Sequence, residues 1–129
     1  MLQILKQIPF FSSLSDEDLQ AIADNINMQY FADGQMVFEQ GDYGEEMYII
    51  KRGSVEVMRD NAVIAELSDH AFFGEMALVS DEPRNASVKA HSDLEVLVLK
   101  KEDFKSLLET KPSIATTVSY EVVKRANQL

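Results

Sequence analysis

The residues best placed to do chemistry are a carboxylate and a guanidinium within residues 72–88. Arg84 is the isolated cation of this region, because the chain from Asp60 to Pro83 holds six acidic residues and neither lysine nor arginine. A guanidinium that follows a rigid proline can hold two oxygens of a phosphate group at once. Glu75, nine residues before Arg84, can accept a hydrogen bond from a sugar hydroxyl. These groups suit a small ligand that carries one negative charge and a ribose.

The residues around Glu75 predict a single helical turn inside this segment. The stretch from Glu75 to Val79 lacks turn-forming residues, and a helix that begins at Gly74 directs free backbone N–H groups towards an anion. Gly74 also lets the backbone approach a ligand closely. Each feature has an ordinary alternative: Arg84 can simply pair with Glu75, Gly74 can be a turn glycine, and residues 76–79 can be core. Their combined order and spacing favour a binding site.

Three zones must position this segment. Residues 1–27 are predicted to be helical, with Ser15 as an N-cap residue before a turn rich in acids. Residues 28–100 predict strands, because short apolar runs alternate with turn residues at roughly 8–12-residue intervals. Residues 101–129 return to helix, with an interruption where Pro112 suits a helix start. We therefore expect one α+β domain over residues 1–129, an antiparallel β-roll or jelly-roll barrel flanked by N-terminal and C-terminal helices.

Individual strands are expected where apolar residues lie between turn signals. The last two expected strands, 86–91 and 94–99, are separated by a short polar turn, and we predict that they form a final hairpin. The earlier strands are expected at residues 36–38, 47–50, 55–58 and 63–65.

Charge and composition exclude several classes of function. The chain has 129 residues, with 22 acidic against 12 basic residues and a formal charge of −10. Such a chain repels a phosphate backbone and an anionic lipid surface, so we expect no nucleic-acid partner. No apolar run approaches the roughly 20 residues of a membrane helix, and the start does not resemble a secretory leader, so no membrane insertion and a cytoplasmic location are expected.

Metal binding and catalysis are not expected either. The absence of cysteine excludes disulfides and thiolate metal sites. His70 and His91 lack a spacing typical of metal ligands, and no nucleophile or metalloprotease motif occurs. Asp81 and Glu82 are adjacent on a turn, where carboxylates usually point apart into water. We predict a binding protein with no catalytic residue, no metal and no cofactor besides its ligand.

The sequence resembles the cyclic nucleotide-binding domain family. Residues 73–78 (FGEMAL) and 83–88 (PRNASV) are similar to the phosphate-binding cassette of that family, including the interval from its glutamate to its arginine. Residues 39–42 (EQGD) and 48–57 (YIIKRGSVEV) resemble its glycine-punctuated strands, and residues 8–11 (IPFF), followed by the Ser15 helix, resemble its opening. The resemblance covers nearly the whole chain.

The resemblance implies roles for particular residues. Glu75 is expected to accept the ribose 2′-OH, and Arg84 to hold the exocyclic phosphate oxygens, assisted by backbone N–H groups near Ala77 and Ala86. Gly74 is expected to allow close approach to the ribose. The predicted ligand-binding residues are Gly74, Glu75, Met76, Ala77, Arg84, Asn85 and Ala86.

Asn85 departs from the family pattern. Members that prefer cGMP often carry Thr after the arginine, and members that prefer cAMP often carry Ala or Ser. Since the amide of Asn85 both donates and accepts hydrogen bonds, it suits either purine. Family prevalence favours cAMP, with cGMP as the other possibility. Tyr120, on the last predicted helix, is a candidate to stack on the base, and packing against the barrel or a partner is an equal alternative.

The predicted function is a regulatory sensor. Binding of a cyclic nucleotide is expected to move the 75–79 turn and to repack the C-terminal helices, which would act on an unidentified effector protein or domain. The final helix offers a possible homodimer contact. The alternative is a protein-interaction scaffold of the same fold that binds no nucleotide and in which Glu75 and Arg84 pair with each other. A sensor separated from the DNA-binding part of a transcription factor is a third reading.

Overall fold

The computed structural model of the chain describes residues 2–8, 11–12, 14–78, 80–112, 114 and 116. Helices α1 (Leu2–Lys6), α2 (Asp16–Ala23) and α3 (Lys101–Thr110) flank the strands, and a short 3₁₀ helix, here called the cassette helix, spans Glu75–Leu78. The strands are β1 (Asn27–Phe31), β2 (Met36–Phe38), β3 (Glu46–Arg52), β4 (Val55–Arg59), β5 (Ala62–Leu67), β6 (Phe72–Phe73), β7 (Ser87–Ala90) and β8 (Leu94–Lys100).

The strands form two antiparallel sheets that face each other. One sheet has the order β1-β8-β3-β6 and the other β2-β7-β4-β5. This two-layer roll with helices at its N-terminal and C-terminal sides confirms the predicted fold class. The single helical turn predicted inside the roll is also present, as the cassette helix.

Helix α2 begins where its predicted cap lies. The Oγ of Ser15 accepts a hydrogen bond from the backbone N–H of Asp18 at 3.2 Å, which satisfies one free donor of the first turn. Leu19 and Ile22, one helical turn apart, are fully buried. Phe11 is also fully buried and fixes the chain before the helix.

Strand β8 separates two hydrophobic cores. Its side chains alternate, so that Leu97 and Leu99 pack with the helices, while Leu94, Val96 and Val98 pack between the two sheets. Because this sheet is covered on both faces, the central residues of β3 (47–50) and of β8 (96–99) form uninterrupted apolar runs. The core on the helix side joins the helices to the cassette helix and includes Leu5, Leu19, Ile22, Met47, Ile49, Leu78, Phe104 and Leu107.

The predicted hairpin of the last two strands is wrong. Strand β7 pairs with β2 and β4, whereas β8 pairs with β1 and β3 in the other sheet. The connecting residues bind elsewhere: His91 N–H donates to Ser54 O at 2.9 Å, Ser92 Oγ accepts from Ser54 N–H at 3.0 Å, and Asp93 Oδ1 accepts from Asp33 N–H at 3.2 Å. These bonds carry the chain from one sheet to the other.

The C-terminal zone begins with α3, which buries Phe104 and Leu107. Pro112 is helical, in agreement with its predicted place at a helix start, and Ile114 is fully buried in the helix-side core. Most of the predicted final helix, including Tyr120, lies outside the described residues. Among the described helices, none has both the length and the apolar character that a membrane span requires.

Candidate functional site

The backbone of Arg84 is fixed to the loop between β2 and β3. Its N–H donates to Asp42 O at 2.7 Å, and its carbonyl accepts from Gly41 N–H at 2.8 Å. This pair of bonds holds the end of the 72–88 segment against the loop between β2 and β3. The Arg84 side chain therefore starts from a rigid point and extends towards the cassette helix.

The guanidinium of Arg84 is buried on backbone carbonyls. Nη1 donates to Gly74 O at 3.1 Å, and Nη2 donates to Glu46 O at 2.9 Å. The Cζ atom lies 4.1 Å from the centroid of the Phe38 ring, within the range of a cation–π contact. Only 9% of the residue is exposed. A charged side chain at this depth is stable only because acceptors surround it.

One donor of this guanidinium has no acceptor. Among the described residues, Nε of Arg84 is the buried side-chain atom without a hydrogen-bond partner. Buried polar groups of native proteins are nearly always satisfied, so this donor is available to a ligand or a water molecule. An anionic oxygen fits it, because Nε and a terminal nitrogen form the fork that holds phosphate oxygens.

Gly44 lies directly beside this fork. A β-carbon built at Gly44 would be 2.5 Å from Nε and 2.7 Å from Cζ of Arg84, closer than real contacts allow. Gly74 is similarly close, since its β-carbon would lie 2.9 Å from Nη1, and its φ of +76° is a conformation that favours glycine. Glycine at both positions lets the backbone enclose the guanidinium.

Burial and charge act on Arg84 in opposite directions. Burial lowers the pKa of Arg84, and the surrounding Tyr48, Glu46, Glu75 and Asp42 raise it in turn. Arginine stays protonated under all ordinary conditions, so the site holds a fixed positive charge within an acidic surrounding.

Aromatic rings form the floor of the site. The rings of Tyr48 and Phe73 stack with centroids 5.1 Å apart, and Phe38 lies 5.9 Å from each of them. The Tyr48 hydroxyl donates to Glu46 Oε2 at 2.6 Å. Burial, followed by this hydrogen bond, raises the pKa of Tyr48. This floor keeps the Glu46 segment in place below Arg84.

The cassette helix places Glu75 next to the guanidinium. Glu75 is 5% exposed and follows Gly74, whose carbonyl binds Arg84. The same carbonyl accepts from Ala77 N–H at 3.2 Å, so this N–H is used within the helix in the arrangement described. Ala77 is buried, while Met76 is 39% exposed.

Asn85 and Ala86 continue from Arg84 towards β7. The Asn85 residue is exposed, and its carbonyl accepts from Arg59 Nε at 3.1 Å, whereas Ala86 is buried. The structure thus brings Gly74, Glu75 and Arg84 together and leaves Asn85 at the rim.

Four residues of the site were not among the predicted ones. They are Phe38, Gly44, Glu46 and Tyr48. The signal that points to Gly44 is the pair of glycines that brackets Asp42-Tyr43 immediately before a long apolar strand. Glu46 contributes a main-chain carbonyl, which any residue type supplies, so its identity gives no signal.

The start of α3 touches both sides of the site. Lys101 is 8% exposed, and its Nζ donates to Asp81 Oδ1 at 2.5 Å and to Ser80 O at 3.3 Å, just after the cassette helix. The backbone N–H of Lys101 donates to Glu45 O at 2.7 Å, next to the carbonyl that binds Arg84. A single residue of α3 therefore joins the cassette and the loop before β3.

The chain is 40% identical over 105 residues to a cAMP-dependent protein kinase regulatory subunit of Eremothecium gossypii. The aligned region covers 81% of this chain and 23% of that protein. The chain spans about a quarter of the length of the curated relatives that it matches.

Two solved structures share the fold over 99% of this chain. The regulatory domain of Toxoplasma gondii PKA, solved with cAMP, has a TM-score of 0.88 at 25% identity, with 49% of that chain covered. The N-terminal domain of a transcriptional regulator from Streptomyces coelicolor A3(2) has a TM-score of 0.86 at 26% identity, with 92% of that chain covered.

The family assignment follows from the sequence pattern of the strands and the cassette. The model of the family described as "Cyclic nucleotide-binding domain" matches residues 28–111, which include Arg84, Glu75 and every other residue of the site. The chain belongs to the cyclic nucleotide-binding domain family.

Proposed function

We propose that this domain binds cAMP through Arg84 and Glu75 and acts as a cytoplasmic regulatory module rather than as an enzyme. The observation that carries the proposal is the buried guanidinium of Arg84, whose Nε has no acceptor among the described residues. The cAMP in the structure of the Toxoplasma gondii PKA regulatory domain supports this choice of ligand.

The cyclic phosphate replaces the backbone carbonyls that now bind Arg84. Gly74 O and Glu46 O take two donors of the guanidinium, and Gly44 covers the edge that includes Nε. A phosphate that approaches this edge must move the Gly44 segment, the side chain, or both. The carbonyls keep the buried charge satisfied until the ligand arrives, and the charge-assisted bonds to phosphate favour the exchange.

The ribose and the base occupy the remaining predicted positions. Glu75 accepts the 2′-OH, Gly74 allows close approach of the sugar, and the first turn of the cassette helix, with Met76 and Ala77, borders the phosphate. Ala86 follows Arg84 on the same side. Asn85 lies at the exposed rim, where its amide contacts the purine.

Binding reaches α3 through two contacts of Lys101. Its side chain binds Asp81 after the cassette helix, and its backbone binds Glu45 beside the Arg84 carbonyl partner. Leu78 of the cassette helix and Phe104 of α3 belong to the same core. A shift of the cassette therefore changes the packing of α3, provided that the ligand binds one arrangement better than the other. The effector that reads this shift, and a homodimer through the C-terminal helix, remain predictions.

Titration of the 129-residue chain with cAMP and cGMP tests the proposal. We expect saturable binding, tighter for cAMP, in isothermal titration calorimetry. Arg84→Ala should lose most of the affinity, and Arg84→Lys should weaken it, because an ammonium cannot hold two oxygens in a fork. A lost hydrogen bond to a charged group is worth about 1.5–3 kcal/mol, so each variant should bind at least about tenfold more weakly.

The matched control is Arg52→Ala, which removes an exposed arginine at the end of β3. Its affinity should equal that of the wild type. Failure of both nucleotides to bind the folded wild-type chain would refute the sensor and favour the scaffold.

The role of Glu75 is tested with an altered sugar. The wild type should bind 2′-deoxy-cAMP more weakly than cAMP, since a charged acceptor loses its donor at a cost of about 1.5–3 kcal/mol. Glu75→Gln should show a much smaller preference between the two ligands. The control Glu82→Gln, an exposed acid of the same segment, should keep the wild-type preference. Equal discrimination by wild type and Glu75→Gln would place the ribose elsewhere.

The close contact of Gly44 predicts a defined coupling with Arg84. Gly44→Ala adds a β-carbon inside the contact distance of the guanidinium, so we expect the free energy of unfolding in urea to fall by about 1–3 kcal/mol. In an Arg84→Met background the same substitution should cost much less. Tyr43→Ala, at a neighbouring residue that is 80% exposed, is the control with little effect. Equal costs in both backgrounds would separate Gly44 from Arg84.

The Asp81–Lys101 contact predicts a pH dependence. The hydrogen bond and charge of Lys101 lower the pKa of Asp81. Because the pKa in the folded state lies below that in the unfolded state, the stabilisation is complete above the unfolded pKa and is lost as the pH falls through the folded pKa. Asp81→Asn should therefore lower the stability at neutral pH and have no effect in strong acid. Urea unfolding at both pH values measures this, with Glu82→Gln as control; a loss that is independent of pH would contradict the ion pair.

A further inference from the structure

A histidine and two glutamates converge on the outer face of the second sheet. Glu56 on β4 and Glu66 on β5 are directly opposite in the strand pairing, and His91 follows the end of β7. His91 Nδ1 lies 3.0 Å from Glu56 Oε1, and Nε2 lies 3.9 Å from Glu66 Oε1. One donor atom of each residue lies within 4.8 Å of the other two. This cluster plays no part in the site around Arg84.

The negative charges of Glu56 and Glu66 favour a bound cation. Two carboxylates directly opposite on neighbouring strands repel each other and destabilise the pairing. Lys89 on β7 lies opposite Glu56 in the strand pairing. Among the described residues, however, the side chain of Glu56 forms its ion pair with His91. The Glu56 carboxylate is therefore directed towards the imidazole and Glu66.

The donor set fits a divalent transition metal. One imidazole nitrogen and two carboxylate oxygens are ligands that Zn²⁺ binds at about 2.0–2.2 Å. The three side chains are 55%, 23% and 64% exposed for His91, Glu56 and Glu66. These side chains can therefore rotate towards a shared metal ion, and water can complete its coordination.

The backbone holds the three ligands in a rigid frame. Glu56 and Glu66 lie on strands of one sheet, and His91 N–H donates to Ser54 O at 2.9 Å. Ser54 N–H is in turn bound by Ser92 Oγ at 3.0 Å. Since the strand pairing sets the separation of the ligands, only side-chain torsions have to change for a metal to bind.

We propose that Glu56, Glu66 and His91 form a site for Zn²⁺ or a similar divalent transition metal. The site goes beyond the proposed nucleotide binding and does not depend on it. It also departs from the sequence-based expectation of no metal, which rested on ligand spacing along the chain, whereas the sheet brings together residues that are distant in sequence.

Zinc titration of the full 129-residue chain tests the site. At mildly alkaline pH, where metal competes well with protons for imidazole, calorimetry should show one Zn²⁺ per chain. In long-range ¹H–¹⁵N spectra of the two histidines, the His91 ring should shift and the His70 ring should not. Mg²⁺ should not compete, because it prefers a complete set of oxygen ligands.

Variants distinguish this site from general binding to an acidic surface. His91→Gln and Glu66→Gln should each abolish the calorimetric signal, and both are exposed substitutions that leave the fold intact by circular dichroism. His70→Asn is the matched control, because it removes the other histidine at a position with a φ of +71° that asparagine tolerates. It should bind Zn²⁺ as the wild type does.

Three results would overturn the site. They are no Zn²⁺ binding by the wild type, unchanged binding by His91→Gln, and equal binding of Mg²⁺. In the first case the cluster is a contact of His91 with two glutamates, without a metal.

Discussion

The burial of one guanidinium constrains the architecture around it. A charge withdrawn from water is tolerated only when its donors meet acceptors in fixed positions. Arg84 obtains them from the carbonyls of Gly74 and Glu46 and from the ring of Phe38. Those groups belong to the cassette, to β3 and to β2, so three parts of the roll must be correctly placed before Arg84 can be buried. The packing of these three parts and the burial of Arg84 therefore depend on each other. The Nε atom, which has no acceptor among the described residues, is the donor that remains for a ligand.

The sequence predicts most of the fold because local patterns reflect burial on one or both faces. The strands β3 and β8 and the capped helix α2 were evident from their apolar periodicity and cap. Strand β1 was not evident from the sequence, since four of its five residues are exposed and buried and exposed residues do not alternate along it. The pairing of β7 and β8 was also wrong, because a short turn predicts a hairpin but does not specify in which sheet each strand lies. That choice depends on the bonds of Ser54 with residues after β7, and they join distant parts of the chain.

For the site, the sequence predicts charged side chains better than their partners. Glu75 and Arg84 could be identified because their order and spacing, a glutamate nine residues before an arginine that is isolated in an acidic region, resemble the cassette of the family. The partners of Arg84 are main-chain carbonyls, which every residue carries, and Glu46 is distant from Arg84 in sequence. The glycines around Asp42-Tyr43 predict a turn there, but only the structure shows that a β-carbon at Gly44 would collide with the guanidinium of Arg84. The metal cluster shows the same limit, since its three ligands become neighbours only through strand pairing.

The connection from the site to α3 follows from two consecutive carbonyls. Glu46 O binds the guanidinium of Arg84, and Glu45 O binds the backbone N–H of Lys101. If a phosphate takes over Arg84, Glu46 O loses its donor, and the segment that carries Glu45 is free to move with it. The Lys101 side chain meanwhile holds Asp81, just after the cassette helix. The first residue of α3 is thus bonded to both segments that border Arg84. A ligand that changes the distance between these segments must either break one of the Lys101 bonds or rotate the start of α3. The change that costs less free energy determines how binding is transmitted to the C-terminal helices.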